Sequence, residues 1–145
     1  MLKAQYSSRG PVPQDVIEAV SEETPKPGSG QVLLEVLAAP INPSDVLTLT
    51  GDYGILPELP AVGGNEGVGR VAEAGEGVSG LDQGQTVLLP VGSGTWSSHV
   101  LAEAKDLVPL PNDADPKQLS MMTINPPTAL LILQEFVDLK EGDWV

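Results

Sequence analysis

At 145 residues the chain is long enough to bury a core of its own and of a length usual for one domain. Seven Lys and Arg face 20 Asp and Glu, a formal charge of −13 with a pI near 4.1, which argues against nucleic acid and anionic membrane surfaces as partners. The absence of cysteine excludes disulfides, thiol nucleophiles and thiolate metal sites together. No apolar run approaches the roughly 18 residues a membrane span needs, and no apolar leader follows Met1, so cytoplasmic residence is expected.

The first forty residues read as strands separated by turn chemistry. Leu2–Tyr6 and Val16–Val20 are short, weakly alternating runs, and Pro25-Lys26-Pro27-Gly28-Ser29-Gly30 marks a loop. Gln31–Ala39 puts Val32, Leu34 and Val36 on one face and Leu33, Glu35 and Leu37 on the other, a strand covered on most of both sides. Asn42 and Ser44 can each cap a helical turn over Val46–Leu49, with Gly51 ending it. Gly67–Glu73, Gln85–Leu89, Thr95–Ala102 and Asp106–Leu110 are further strand candidates. Many short strands with Gly and Pro turns between them predict a mainly β fold, a small and partly open barrel.

The last fifth changes character. Asn125-Pro126-Pro127-Thr128 combines a capping residue with prolines where a helix begins. From Ala129 to Leu139 only Gln134, Glu135 and Asp138 are polar, so such a helix needs neighbours on more than one side. Lys140–Asp143 reads as a turn and Trp144-Val145 as the start of a strand.

The stretch Ile41–Arg70 is the best material for a shaped site. Glycines 63, 64, 67 and 69 permit close backbone approach, while Pro43, Pro57 and Pro60 stiffen the chain between them. Its GGNEGVG run lacks the Lys and Ser/Thr of a phosphate loop and does not join a hydrophobic strand to a helix. Tyr53, between Asp52 and Gly54, can donate a hydrogen bond or give up a proton, although an isolated tyrosine more often packs. The single histidine, His99, has no second ligand for a metal and no serine protease partner, so it reads as structural. Trp96 reads as a core or pocket-wall aromatic.

PAVGGNEGVGRVAEAGEGVSGLDQGQTVLLP resembles the signature of the medium-chain dehydrogenases/reductases, whose catalytic domain is a GroES-like β-barrel. In their zinc-dependent alcohol dehydrogenases the comparable segment carries Gly-His-Glu, and here it is Gly64-Asn65-Glu66. The cysteine ligand's place before the family's Asp is matched by Asn42 ahead of Asp45, and the third ligand falls near Ile124. No thiolate or imidazole ligand remains, so a catalytic zinc is not expected.

INPSD, GDYG followed by LPELPAVGGNEGV, GTW and INPPTA resemble, in order and over nearly the whole chain, the NADPH-dependent trans-2-enoyl thioester reductases of that superfamily. The resemblance implies Tyr53 as the catalytic residue and Asn42, Asn65 and Trp96 as substrate-binding residues, the asparagines shaping the pocket floor and Trp96 the acyl channel. It implies Asn125 and Thr128 on the cofactor side, NADPH as cofactor, and a 2-enoyl thioester of CoA or acyl carrier protein as substrate in fatty-acid synthesis. Residues 1–125 would be the barrel, and 126–145 the helix and the start of a linker to a Rossmann domain.

No dinucleotide-binding fingerprint is read in the chain itself, so it is expected to be a fragment or truncated product, inactive alone and prone to self-association through its apolar helix. Two other readings stay open: a zinc-free quinone oxidoreductase of the same superfamily, and a stand-alone GroES-like binding or assembly module.

Overall fold

The computed structural model describes all residues from Met1 to Val145. Eight strands form two antiparallel sheets. The smaller holds β1 (Leu2–Tyr6) between β2 (Ile17–Ser21) and β4 (Ala61–Val62). The larger runs β7 (His99–Glu103), β3 (Gln31–Ala38), β5 (Val68–Ala74), β6 (Thr86–Leu88), β8 (Val108–Pro109).

Strand β3 behaves as its composition dictates: Val32 and Leu34 are sealed on one face, and Leu33 is buried on the other. Two register irregularities against β5, at Leu33/Leu34 and Val36/Ala38, bend it. The core lies on its Val32 face, where Val71, Val87, Leu89, Ala102 and Leu107 pack with Val32 and Leu34. Ala102 and Leu107 bring β7 and the turn beyond it into the same cluster, so burial of apolar surface holds β3, β5, β6 and β7 to one side, while both residues of β8 stay exposed.

The sheets meet but do not close into a barrel. Their seam is the backbone of residues 96–98: Ala4 N–H donates to Trp96 O at 2.8 Å, Ser98 N–H to Leu2 O at 2.7 Å, and Val36 N–H to Ser98 O at 3.0 Å. That dual service explains why the expected Thr95–Ala102 strand narrows to His99–Glu103. Residues 96–98 bond to strands of both sheets and so leave the regular ladder.

Helix α1 (Pro43–Thr50) begins after Asn42, with Pro43 in the first turn where a missing N–H costs nothing. The Asp45 carboxylate reaches back to Asn42 N–H at 2.7 Å. Gly51, at φ +90°, ends the helix. Two short elements carry no clear sequence signal: β4, two residues long, and α2 (Pro116–Leu119), one turn capped by Asp115.

Helix α3 spans Asn125–Glu135, starting four residues before the expected run and stopping short of Leu139. Prolines 126 and 127 occupy its first turn, and the Thr128 hydroxyl donates back to Ile124 O at 2.7 Å. The expected burial of this helix does not occur within the chain, because no other element packs across it. None of its residues is buried, and Leu130, Leu131 and Ile132 stand about half exposed.

Gly75, Gly77 and Gly80 do have the spacing G-x-G-x-x-G, which corrects the reading that no such pattern is present. It follows β5 but leads through turns into β6 instead of opening a helix, so it lacks the N-terminal dipole that holds a pyrophosphate.

Candidate active site

The carbonyl of Leu47 gathers the N–H groups of Gly51 (3.0 Å), Asp52 (2.9 Å) and Tyr53 (3.2 Å). This wrap over the end of α1 fixes where the next loop departs. Residues 52–60 are all exposed, so the loop has little core of its own. Its long-range tie is Arg9, whose guanidinium donates to Pro57 O from across the fold.

Behind this loop lies a cavity of about 370 Å³. Tyr53, Ile55 and Pro57 form its loop side, and α1 contributes Ser44, Asp45, Thr48 and Leu49. Val62, Gly63, Gly64 and Asn65 form a wall, completed by Val91, Gly92 and Ile124. Pairing of β1 with β4 sets Tyr6 opposite Ala61, which brings the chain's other tyrosine onto the same cavity. A volume of this size and a largely apolar lining with a few convergent polar groups suit a small acyl group.

The polar groups are organised by two buried carboxylates. Asp45, 4% exposed, accepts from Asn65 Nδ2 at 2.9 Å and from Asn42 N–H at 2.7 Å. Glu66, fully sealed, accepts from Asn42 Nδ2 at 2.8 Å and from Ile124 N–H at 3.2 Å. Asn42, Asn65 and Ile124, the three positions that the resemblance sets against the zinc ligands of the alcohol dehydrogenases, are thus joined by hydrogen bonds to carboxylates. Such a network holds its members only if each donor is satisfied.

Burial raises the Asp45 carboxyl above its usual value, opposed by the hydrogen bonds from Asn42 and Asn65 and reinforced by Glu66. Burial likewise raises the Tyr6 phenol above 10.0, opposed by the nearby Arg9 guanidinium, which lies 6.0 Å from the ring centroid.

Of the site residues expected from sequence, Tyr53 and Asn65 line the cavity, and Tyr53 is 41% exposed. Asn42 sits one layer behind, linking Glu66 to the start of α1. Trp96, expected along an acyl channel, is not on the lining. It packs behind the wall, where a Cβ on Gly63 would come within 2.3 Å of its ring, and its Nε1 donates to Pro40 O at 2.9 Å. Asn125 and Thr128 stand exposed on the first turn of α3 and are not on the lining, although Ile124 just before them is. His99 is half-buried on β7, with Nδ1 3.0 Å from Ser98 Oγ.

Of the other residues at the site, Tyr6 enters the sequence reading only as the end of a strand candidate, and Asp45, Glu66 and Ile124 only as places in the family's ligand pattern. Asp45 and Glu66 carried a signal in their places, Asp45 three residues after the capping Asn42 and Glu66 directly after Asn65. Tyr6 carried none, because only a non-local strand pairing brings it here.

Residues 28–112 match the family model of the alcohol dehydrogenase GroES-like domain. The chain belongs to that family. A mitochondrial enoyl-[acyl-carrier-protein] reductase of Caenorhabditis elegans is 44% identical over 121 residues, covering 83% of this chain and 35% of the relative. Among solved structures, the mitochondrial 2-enoyl thioester reductase Etr1p/Etr2p heterodimer of Candida tropicalis matches with a TM-score of 0.88 at 30% identity. The complex of Etr1p with NADP and crotonyl-CoA matches at 0.84 and 28%, and each alignment covers 98% of this chain and 45% of the other. A mycobacterial quinone oxidoreductase matches at 0.78 and 26%, over 99% of this chain and 44% of that one. The chain therefore spans between about a third and a half of the proteins it resembles. Like them it has the GroES-like fold of the medium-chain dehydrogenases/reductases, with its two sheets left open.

Proposed function

We propose that this chain is the acyl-binding half of an NADPH-dependent 2-enoyl thioester reductase. The observation that carries the reading is the position of Tyr53, on a loop tied to α1 and Arg9, at the edge of a cavity whose far wall is Asn65 and Ile124. The relatedness to enoyl reductases, one of them bound to NADP and crotonyl-CoA, supports it.

The chemistry fits the residues present. A 2,3-unsaturated thioester is already a conjugated electrophile. Reduction at Cβ moves charge toward the thioester oxygen and Cα, and Cα then takes a proton. A phenol aimed at that region can hold the oxygen or deliver the proton, and preorganised donors contribute most where charge develops. Ile55, Val62 and Val91 offer apolar surface to the acyl chain. The buried pairs Asn65–Asp45 and Asn42–Glu66 keep the wall from collapsing into the cavity.

NADPH supplies the hydride in such a reaction. The residues of this chain do not make a dinucleotide seat by themselves: α3 carries no Lys or Arg, and the Thr128 hydroxyl is already committed to Ile124 O. Asn125 is the residue left free to meet a cofactor from this side. Substrate choice between CoA and acyl carrier protein, and a place in fatty-acid synthesis, belong to the same proposal. So does association through the apolar face of α3.

A chimaera joining this chain at Val145 to the dinucleotide-binding domain of a related reductase tests the reading. NADPH oxidation is followed with crotonyl-CoA and with a quinone. Crotonyl-CoA is the expected substrate, and Tyr53→Phe should lower its turnover by about a hundredfold, the low end for lost general acid catalysis. Quinone turnover without thioester turnover would overturn the proposal in favour of a quinone reductase.

A further inference from the structure

We propose that Tyr6 is a second hydrogen-bond donor of this site, holding the thioester carbonyl oxygen from the floor of the cavity. The inference rests on the enoyl thioester reading above and adds to it a residue outside the Tyr53 loop.

The chain has two tyrosines, and both line one cavity. They arrive by different routes. Tyr53 rides an exposed loop, whereas Tyr6 ends the middle strand of the smaller sheet, paired on one side with Ile17 and on the other with Ala61. Its residue surface is 1% exposed. Arg9 hydrogen-bonds the phenol oxygen, and because a guanidinium only donates, the phenol's own proton finds no acceptor within the chain. Tyr6 is nonetheless one of the residues that line the cavity, so the small part of it left open faces that space.

A buried phenol whose O–H proton has no acceptor has a demand that the protein leaves unmet. An occupant of the cavity can meet it. The polarity of that occupant follows from the neighbours. Asp45 already accepts two hydrogen bonds from the asparagines, and burial keeps the Tyr6 phenol protonated through the physiological range. Tyr6 thus offers a donor and wants an acceptor, which the carbonyl oxygen of an acyl thioester supplies and a hydrocarbon chain does not. The Arg9 guanidinium beside the ring and the strand pairing on both sides fix its orientation, as preorganisation requires.

The test uses the chain as it stands, with ¹³Cζ-labelled tyrosine. Its two Cζ resonances are assigned from Tyr6→Phe and Tyr53→Phe, then followed during titration with crotonyl-CoA and with S-butyl-CoA, a thioether of equal chain length without a carbonyl. Both resonances are expected to move with crotonyl-CoA, and the Tyr6 resonance to stay fixed with the thioether. Tyr6→Phe should bind crotonyl-CoA about tenfold more weakly, the loss of one hydrogen bond, and the thioether as well as the parent does. A Tyr6 signal that stays silent while Tyr53 responds, or equal crotonyl-CoA binding by Tyr6→Phe, overturns this inference and leaves the functional reading intact. No binding of crotonyl-CoA by the parent chain overturns both.

Discussion

Asn65 Nδ2 donates to Asp45 Oδ1 at 2.9 Å, joining the cavity wall to the first turn of α1 across 20 residues of chain. The other oxygen of Asp45 accepts from Asn42 N–H, so one carboxylate closes the helix and orients the wall at once. An amide in its place has one oxygen to offer two N–H donors. Asp45→Asn should therefore cost about 1–3 kcal/mol, the penalty for a buried donor left unpaired. Urea denaturation at pH 7 measures it, and a change within about 0.5 kcal/mol, usual for surface substitutions, contradicts it.

The same residue gives the fold a pH dependence with a definite sign. Burial raises the Asp45 carboxyl above 3.8, so the folded chain holds its proton more tightly than the unfolded one. The stability this contributes is full below 3.8 and is lost as pH rises through the raised folded value. Subtracting the Asp45→Asn stability curve from that of the parent should show this decline on the alkaline side of 3.8. A difference curve that rises with pH there refutes the assignment.

Gly63 and Trp96 form the next dependence. A Cβ at position 63 meets Trp96 Cε3 at 2.3 Å and Cζ3 at 2.8 Å, and the ring is held by its bond to Pro40 O. Gly63→Ala should destabilise by about 1–3 kcal/mol through overpacking. Trp96→Leu makes room, so the double variant should lose less than the sum of the two single changes. Additive losses in thermal unfolding show that the ring is not what position 63 opposes.

Helix α3 exposes Leu130, Leu131 and Ile132, and Phe136 just beyond it is 79% exposed. Exposed apolar residues gathered on one short element favour association. Sedimentation velocity should show concentration-dependent self-association of the chain, reduced by Leu131→Glu together with Phe136→Ser. A monomer at every concentration, unaltered by the substitutions, contradicts it.

Much of the frame was legible in the residues. Strand β3 announced itself by covered faces, α1 by Asn42 and Gly51, and the start of α3 by its paired prolines. What sequence could not convey was convergence. Tyr6 reaches the cavity through the pairing of β1 with a two-residue strand too short to be visible, and Ile124 through a backbone bond to Glu66. Trp96 was expected along the acyl channel, but it lies behind the glycine wall, where the bare Gly63 and Gly64 backbone meets its ring. The apolar run of α3 predicted burial because composition reports what a helix needs, not whether its neighbour lies in the same 145 residues.

The most direct measurement is an amide chemical-shift titration of the ¹⁵N-labelled chain with crotonyl-CoA. The expected result is a set of shifts confined to the cavity margin, at Tyr53, Gly64, Asn65 and Ile124, that saturates with one equivalent of ligand. Shifts gathered instead at the separate surface hollow around Leu2, Trp96 and Ser98, or no saturable shifts at all, contradict an acyl site beneath the Tyr53 loop.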